Sequence, residues 1–118
     1  MKSFPEQVAD AKQRIREVSA PDVQAMQARG ERVTLVDVRE PAEWAAGHLP
    51  GATHVPAGQV AADAAAKIPH DAPVVVYCAL GGRSAVAADA LQQMGYHDVR
   101  SMAGGIRGWA DAGGEIEA

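Results

Sequence analysis

Val74-Val75-Val76-Tyr77 shows no alternation of polar and apolar side chains. Three β-branched residues and an aromatic one run straight into Cys78-Ala79-Leu80-Gly81-Gly82-Arg83-Ser84. A strand with apolar groups on both faces must be covered on both faces, as it is inside a parallel sheet between helices. Val33-Thr34-Leu35-Val36-Asp37-Val38 has the same character, and Thr53-His54-Val55 and Asp98-Val99-Arg100-Ser101 read as shorter neighbours. Helical stretches lie between them: Pro41 to Ala46, the Ala-rich Gln59 to Lys67, and Arg83 to Met94, stopped by Gly95. Strand and helix alternate, so the fold class is α/β with a mostly parallel sheet wrapped by helices.

Two further helices are predicted near the N-terminus. Val8, Ala11, Ile15 and Val18 recur at helical spacing among charged residues, which predicts one amphipathic helix from Pro5 to Val18. Ser19 caps the next, Pro21 suits its first turn, Val23 and Met26 form its apolar face, and Gly30 ends it. The Gly-rich tail beyond Trp109 reads as a frayed end.

With 118 residues the chain has room for one core. Aromatic residues make up only 4%, so Val, Leu, Ile, Met and abundant Ala must fill that core, which favours helices packed closely on a sheet. The net charge of -4 and the lack of any basic run exclude a nucleic-acid binder. No segment reaches the roughly 18 apolar residues that would span a bilayer, and Met1 to Glu17 has no signal-like apolar core, so a cytoplasmic protein without a membrane partner is expected. Cys78 is the only cysteine, which excludes an intramolecular disulfide and a resolving thiol in the same chain.

The segment after the Val-rich strand carries the chemistry. Ligands of parallel α/β sheets bind at the carboxyl ends of strands. Gly81 and Gly82 permit positive φ, letting the loop curl until several N–H groups point at one centre, and the following helix adds partial positive charge there. A thiol at that centre is stabilised as thiolate and becomes a nucleophile. Cys78 is therefore the candidate catalytic residue, and Ala79, Leu80, Gly81, Gly82, Arg83 and Ser84 are candidate substrate-binding residues, Arg83 bringing the only full charge. A lone cysteine at a strand end is more often a small buried hydrophobe. The joint pattern of strand, Cys, glycines, Arg-Ser and helix distinguishes this one.

Cys78-x-x-Gly81-x-Arg83-Ser84 resembles the active-site loop of single-domain rhodaneses, the thiosulfate sulfurtransferase-like family. Asp37-Val38-Arg39-Glu40-Pro41-x-Glu43-Trp44-x-x-Gly47-His48-Leu49-x-Gly51-Ala52 is similar to the family's N-terminal signature, and Met102-x-Gly104-Gly105-Ile106-x-x-Trp109 to its C-terminal one. The resemblance runs from about Val18 to Trp109. It divides the chain into a helical extension, residues 1-17, and a rhodanese-like domain, residues 18-118.

This resemblance implies a three-layer domain with a central parallel sheet of about five strands flanked by helices. It also implies a reaction without cofactor in which Cys78 takes the outer sulfur of thiosulfate as a persulfide and passes it to cyanide or a thiol. An acceptor protein is a further possible partner, since the acceptor must come from outside the chain, and the sequence is compatible with a monomer or a homodimer. Two other readings compete: a sulfur-carrier or interaction module serving a partner protein, and a small phosphatase or arsenate reductase of the same fold. The latter enzymes hold a larger tetrahedral oxyanion in a loop longer by one residue than the four that separate Cys78 from Arg83.

Other polar residues read as scaffold. Glu43 sits where a carboxylate bonds back to a helix cap, and its spacing from Arg39 suits an i,i+4 ion pair. Asp37 is expected to hold the adjacent loop through backbone N–H groups. His48, His54, His70 and His97 are scattered without metal-ligand spacing, so no metal site is expected. Trp44 and Trp109 are assigned to packing. Leu80, at the loop apex, either contacts an acceptor or shields the persulfide from water.

Overall fold

Successive side chains of a strand point to opposite faces, and the Val-rich runs use both. Val36, Val38, Val74, Val76 and Cys78 join one apolar cluster, while Leu35, Val75 and Tyr77 join another on the opposite side. Each of these buried aliphatic side chains contributes about 1.5–3 kcal/mol relative to exposure. In the computed structural model, which describes residues 1–118, the two clusters sit above and below a single five-stranded sheet.

The strands are β1 (Arg16–Val18), β2 (Thr34–Asp37), β3 (Thr53–His54), β4 (Val74–Tyr77) and β5 (Val99–Met102). They pair in the order β1-β5-β4-β2-β3, all parallel. The helices are α1 (Phe4–Lys12), α2 (Ala20–Ala28), α3 (Pro41–Ala46), α4 (Val60–Lys67), α5 (Gly82–Gln93) and α6 (Gly105–Asp111). Residues of α4 and α5 cover one face of the sheet, residues of α2 and α6 the other, giving three layers. Ala64, Ala85 and Ala88 are wholly buried, and such small side chains let helix backbones approach closely. No helix is long and apolar enough to cross a membrane.

The expected helix over residues 5–18 is not what forms. α1 starts at a capping box between Ser3 and Glu6 and stops at Lys12, and Arg16–Val18 becomes the edge strand β1 beside β5. Ile15 then packs with one cluster and Val18 with the other. A helix would have put both on one face; tertiary pairing overrides the helical spacing. This strand straddles the 17/18 division drawn from the sequence. α2 matches its expected signals, with Ser19 and Asp22 forming a capping box.

The tail is not frayed. Gly114 N–H and Trp109 Nε1–H close the end of α6 onto Trp109 O and Glu115 O, and Glu117 forms a two-bond antiparallel bridge with His48. Because every strand is parallel, the segments leaving β2, β4 and β5 all emerge at one edge of the sheet. α3, the Cys78 loop and the start of α6 meet there.

Candidate active site

Cys78 leaves the central strand β4 with its side chain 1% exposed. Its Sγ accepts hydrogen bonds from Gly81 N–H at 3.0 Å and Ser84 N–H at 3.4 Å, and the Ser84 hydroxyl lies 3.5 Å away. Gly81 is the N-cap of α5 with φ at +109°, and a Cβ there would press on Gly104 N at 3.3 Å. The loop closes around the sulfur because this residue has no side chain. Gly82 uses no such freedom, contrary to the expectation that both glycines turn the chain. It is the first residue of α5, and its bare face lies against Phe4 and Val8 of α1. The N-terminal helix thus docks on the helix that follows the Cys78 loop.

Burial alone raises the Cys78 pKa, since it penalises the anion. Against that act the Ser84 hydroxyl, the Ser84 and Gly81 amides and a contribution from the Leu80 amide, and together they leave the thiol below its ordinary value. The Ser84 hydroxyl is itself 2.8 Å from the buried Ser101 hydroxyl of β5. With Ser101 as donor, Ser84 keeps its proton to give to the thiolate. Ser101 was missed in the sequence; the only signal was a hydroxyl inside a buried strand. The rate of iodoacetamide alkylation of Cys78 is accordingly expected to reach half its maximum below the pH of a free cysteine. Ser84→Ala should move that midpoint upward, and an unmoved midpoint would remove Ser84 from the stabilising set.

Arg83 sits in the second position of α5, and its Nη1 and Nη2 donate to Glu43 Oε1 and Oε2 at 2.7 and 3.1 Å. This holds the Glu43 carboxyl down to about 2, chiefly through the Arg83 hydrogen bond. The expected pair between Arg39 and Glu43 does not form. Arg39 is buried and turns instead to Asp37, with Nη2 at 2.7 Å from Oδ2, and to Gly47 O at 2.6 Å. Asp37 also accepts from Arg39 N–H at 2.8 Å, which is the loop-holding role expected of it. Glu43 does cap α3, accepting from Glu40 N–H at 3.0 Å. The Asp37–Arg39 pair therefore anchors α3, and α3 presents Glu43 to Arg83.

Loop residues take different positions. Leu80 is 71% exposed at the apex, Ala79 is half-buried, and Ala79 O together with Cys78 O accepts from Arg107 N–H and Ile106 N–H at the start of α6. Trp109 is buried in the core, whereas Trp44 is half-buried and stacks with the rings of both His48 and His54.

The family model of the rhodanese-like domain matches residues 19–112. Thiosulfate sulfurtransferase GlpE of Pseudomonas aeruginosa is 40% identical over 102 residues, which are 86% of this chain and 87% of that protein. The probable adenylyltransferase/sulfurtransferase MoeZ of Mycobacterium tuberculosis is 39% identical over 82 residues, covering 69% of this chain; the chain spans only 21% of MoeZ. Among solved structures, a Rhodopseudomonas palustris protein of unknown function, described as a possible tyrosine phosphatase, superposes with a TM-score of 0.89. It is 32% identical, with 99% of this chain and 96% of that one covered.

Proposed function

Because the chain belongs to the rhodanese-like domain family, we propose that it is a sulfurtransferase which moves a sulfane sulfur from thiosulfate or a related donor to a thiol or cyanide through a Cys78 persulfide. The observation that carries this reading is the Cys78 Sγ held by the Gly81 and Ser84 amides at the N-terminus of α5, with its pKa depressed. The Cys78 thiolate attacks the outer sulfur of thiosulfate. A new S–S bond forms as the donor's S–S bond breaks, and the electron pair leaves with sulfite. The negative charge now sits on the terminal sulfur, where the first N–H groups of α5, which have no intrahelical partner, can receive it. An acceptor thiolate then attacks that sulfur, and Cys78 leaves as thiolate. With cyanide the product is thiocyanate.

The carrier reading is favoured by one feature, the exposed apolar Leu80 at the loop apex, which is suited to contact with a partner protein. Thiocyanate formation measured beside transfer to glutathione separates the two, since a dedicated carrier loads sulfur but passes it poorly to small acceptors. The phosphatase reading has support in the description of the Rhodopseudomonas palustris protein. Against it stand the four-residue spacing between Cys78 and Arg83 and the occupation of Arg83 by Glu43. Hydrolysis of an aryl phosphate is expected to be negligible beside thiosulfate turnover. A protein that is the better phosphatase would overturn the sulfur-transfer assignment.

A further inference from the structure

Both outer nitrogens of Arg83 donate to Glu43, so the one full positive charge of the loop meets an incoming donor already compensated. We propose that Glu43 is a specificity-determining residue that gates donor charge. By holding Arg83 in a neutral pair at the Cys78 loop, it favours organic sulfur donors of at most one negative charge, such as thiosulfonates and persulfides, over dianionic thiosulfate. This rests on the sulfurtransferase reading and adds the donor class to it.

The carboxylate is a fixed part of the loop's wall. Its Oε1 also accepts from Glu40 N–H at 3.0 Å, so the group is bound into the first turn of α3, whose far end is tied down by the bond from Arg39 to Gly47 O. The pair stands beside the reacting atom, since Arg83 directly precedes Ser84, whose N–H holds Cys78 Sγ. The far side of Arg83, away from the amides that hold Cys78 Sγ, is apolar. Arg83 borders a groove of about 190 Å³ formed with Phe4, Ala57, Val60, Val86 and Ala87, and it is the only charged side chain lining that groove. Such walls suit an alkyl or aryl substituent, which thiosulfate lacks.

A monoanionic thiosulfonate reacts by the same displacement. The Cys78 thiolate bonds to its outer sulfur, the donor's S–S bond breaks, and the pair leaves with a sulfinate, so one negative charge enters and one leaves. A dianion must sit beside the Glu43 carboxylate or pull Arg83 away from it. The pair is partly exposed, and even at a dielectric close to that of water one further charge about 3 Å away is worth about a tenfold rate difference.

The experiment measures kcat/KM for thiosulfate and for benzenethiosulfonate in the wild type and in Glu43→Gln, which keeps the shape and an oxygen for the cap. In the variant, thiosulfate turnover is expected to rise about tenfold and benzenethiosulfonate turnover by about twofold or less. An unchanged ratio between the donors, or an equal fall with both, would make Glu43 a mere support for Arg83 and overturn the gate. A wild-type measurement guards against a variant that does not fold: sulfate should protect Cys78 from alkylation no better than methanesulfonate does. Protection by sulfate about tenfold stronger would equally overturn the proposal. Failure of the underlying reading looks different, because then neither donor leaves a persulfide on the wild-type protein.

Discussion

Cys78→Ser is expected to abolish sulfur loading, with a loss of at least about a thousandfold in turnover. One equivalent of thiosulfate without acceptor should add the mass of a single sulfur atom to the wild-type protein and nothing to the variant. Serine preserves the size and bonding of the side chain, so the cradle of Gly81 N–H and Ser84 N–H stays in place. What it cannot preserve is the anion. Those hydrogen bonds outweigh burial for a thiol, whose ordinary pKa lies only about one to two units above neutrality, whereas a hydroxyl stays protonated under the same influences. The wild-type rate should fall as pH drops through the depressed Cys78 pKa, because protonation removes the nucleophile. Thermal unfolding of the variant should remain close to that of the wild type. A wild-type mass unchanged by donor, or a variant that still loads sulfur, would end the persulfide mechanism.

Gly105→Ala is expected to cost both stability and activity, although Gly105 lies outside the Cys78 loop. Its φ is +58°, and a Cβ there would be driven into the carbonyl oxygens of Cys78 and Ala79. These carbonyls are where α6 docks, through Ile106 N–H at 2.9 Å and Arg107 N–H at 3.3 Å. The left-handed backbone and the overpacking together should destabilise the fold by about 2–5 kcal/mol. The chain relieves the clash by moving the Cys78 loop, and a displacement near 1 Å is worth about a hundredfold in rate. The alkylation midpoint of Cys78 should rise with it, since Sγ drifts from its amides. Gly113→Ala is the control: Gly113 also has positive φ but has nothing within 4 Å of a Cβ, so only the stability should change. Normal turnover in Gly105→Ala would show that α6 does not support the loop.

The parts of the fold readable in advance are those whose signals lie within a few residues. β4 was found from Val74 to Tyr77 and α3 from Pro41 to Ala46, because an unalternated apolar run and a proline with a capping glutamate are local. β1 was not. Arg16–Val18 has no strand pattern of its own, and its conformation comes from pairing with Arg100, Ser101 and Met102. The tail beyond Trp109 likewise looked unstructured because its partner, His48, lies far back in the sequence.

By itself the sequence determined the α/β class, the buried central strand, and a sulfur placed among the amides of a helix N-terminus. The class rests on short apolar runs alternating with helical ones along the chain, and the strand and sulfur on contiguous residues, 74 to 84, among which Gly81 alone takes positive φ. Tertiary structure decided which groups surround that sulfur. Strand order brings Ser101 behind Ser84 across 17 residues of sequence, and α3 brings Glu43 to Arg83 across 40. The same edge sets Gly105 under the Cys78 carbonyl. In the sequence, Glu43 looked like a partner for Arg39 because i,i+4 spacing is the only proximity a chain displays. Burial of Arg39 against Asp37 removed that option, leaving the Glu43 carboxylate to Arg83.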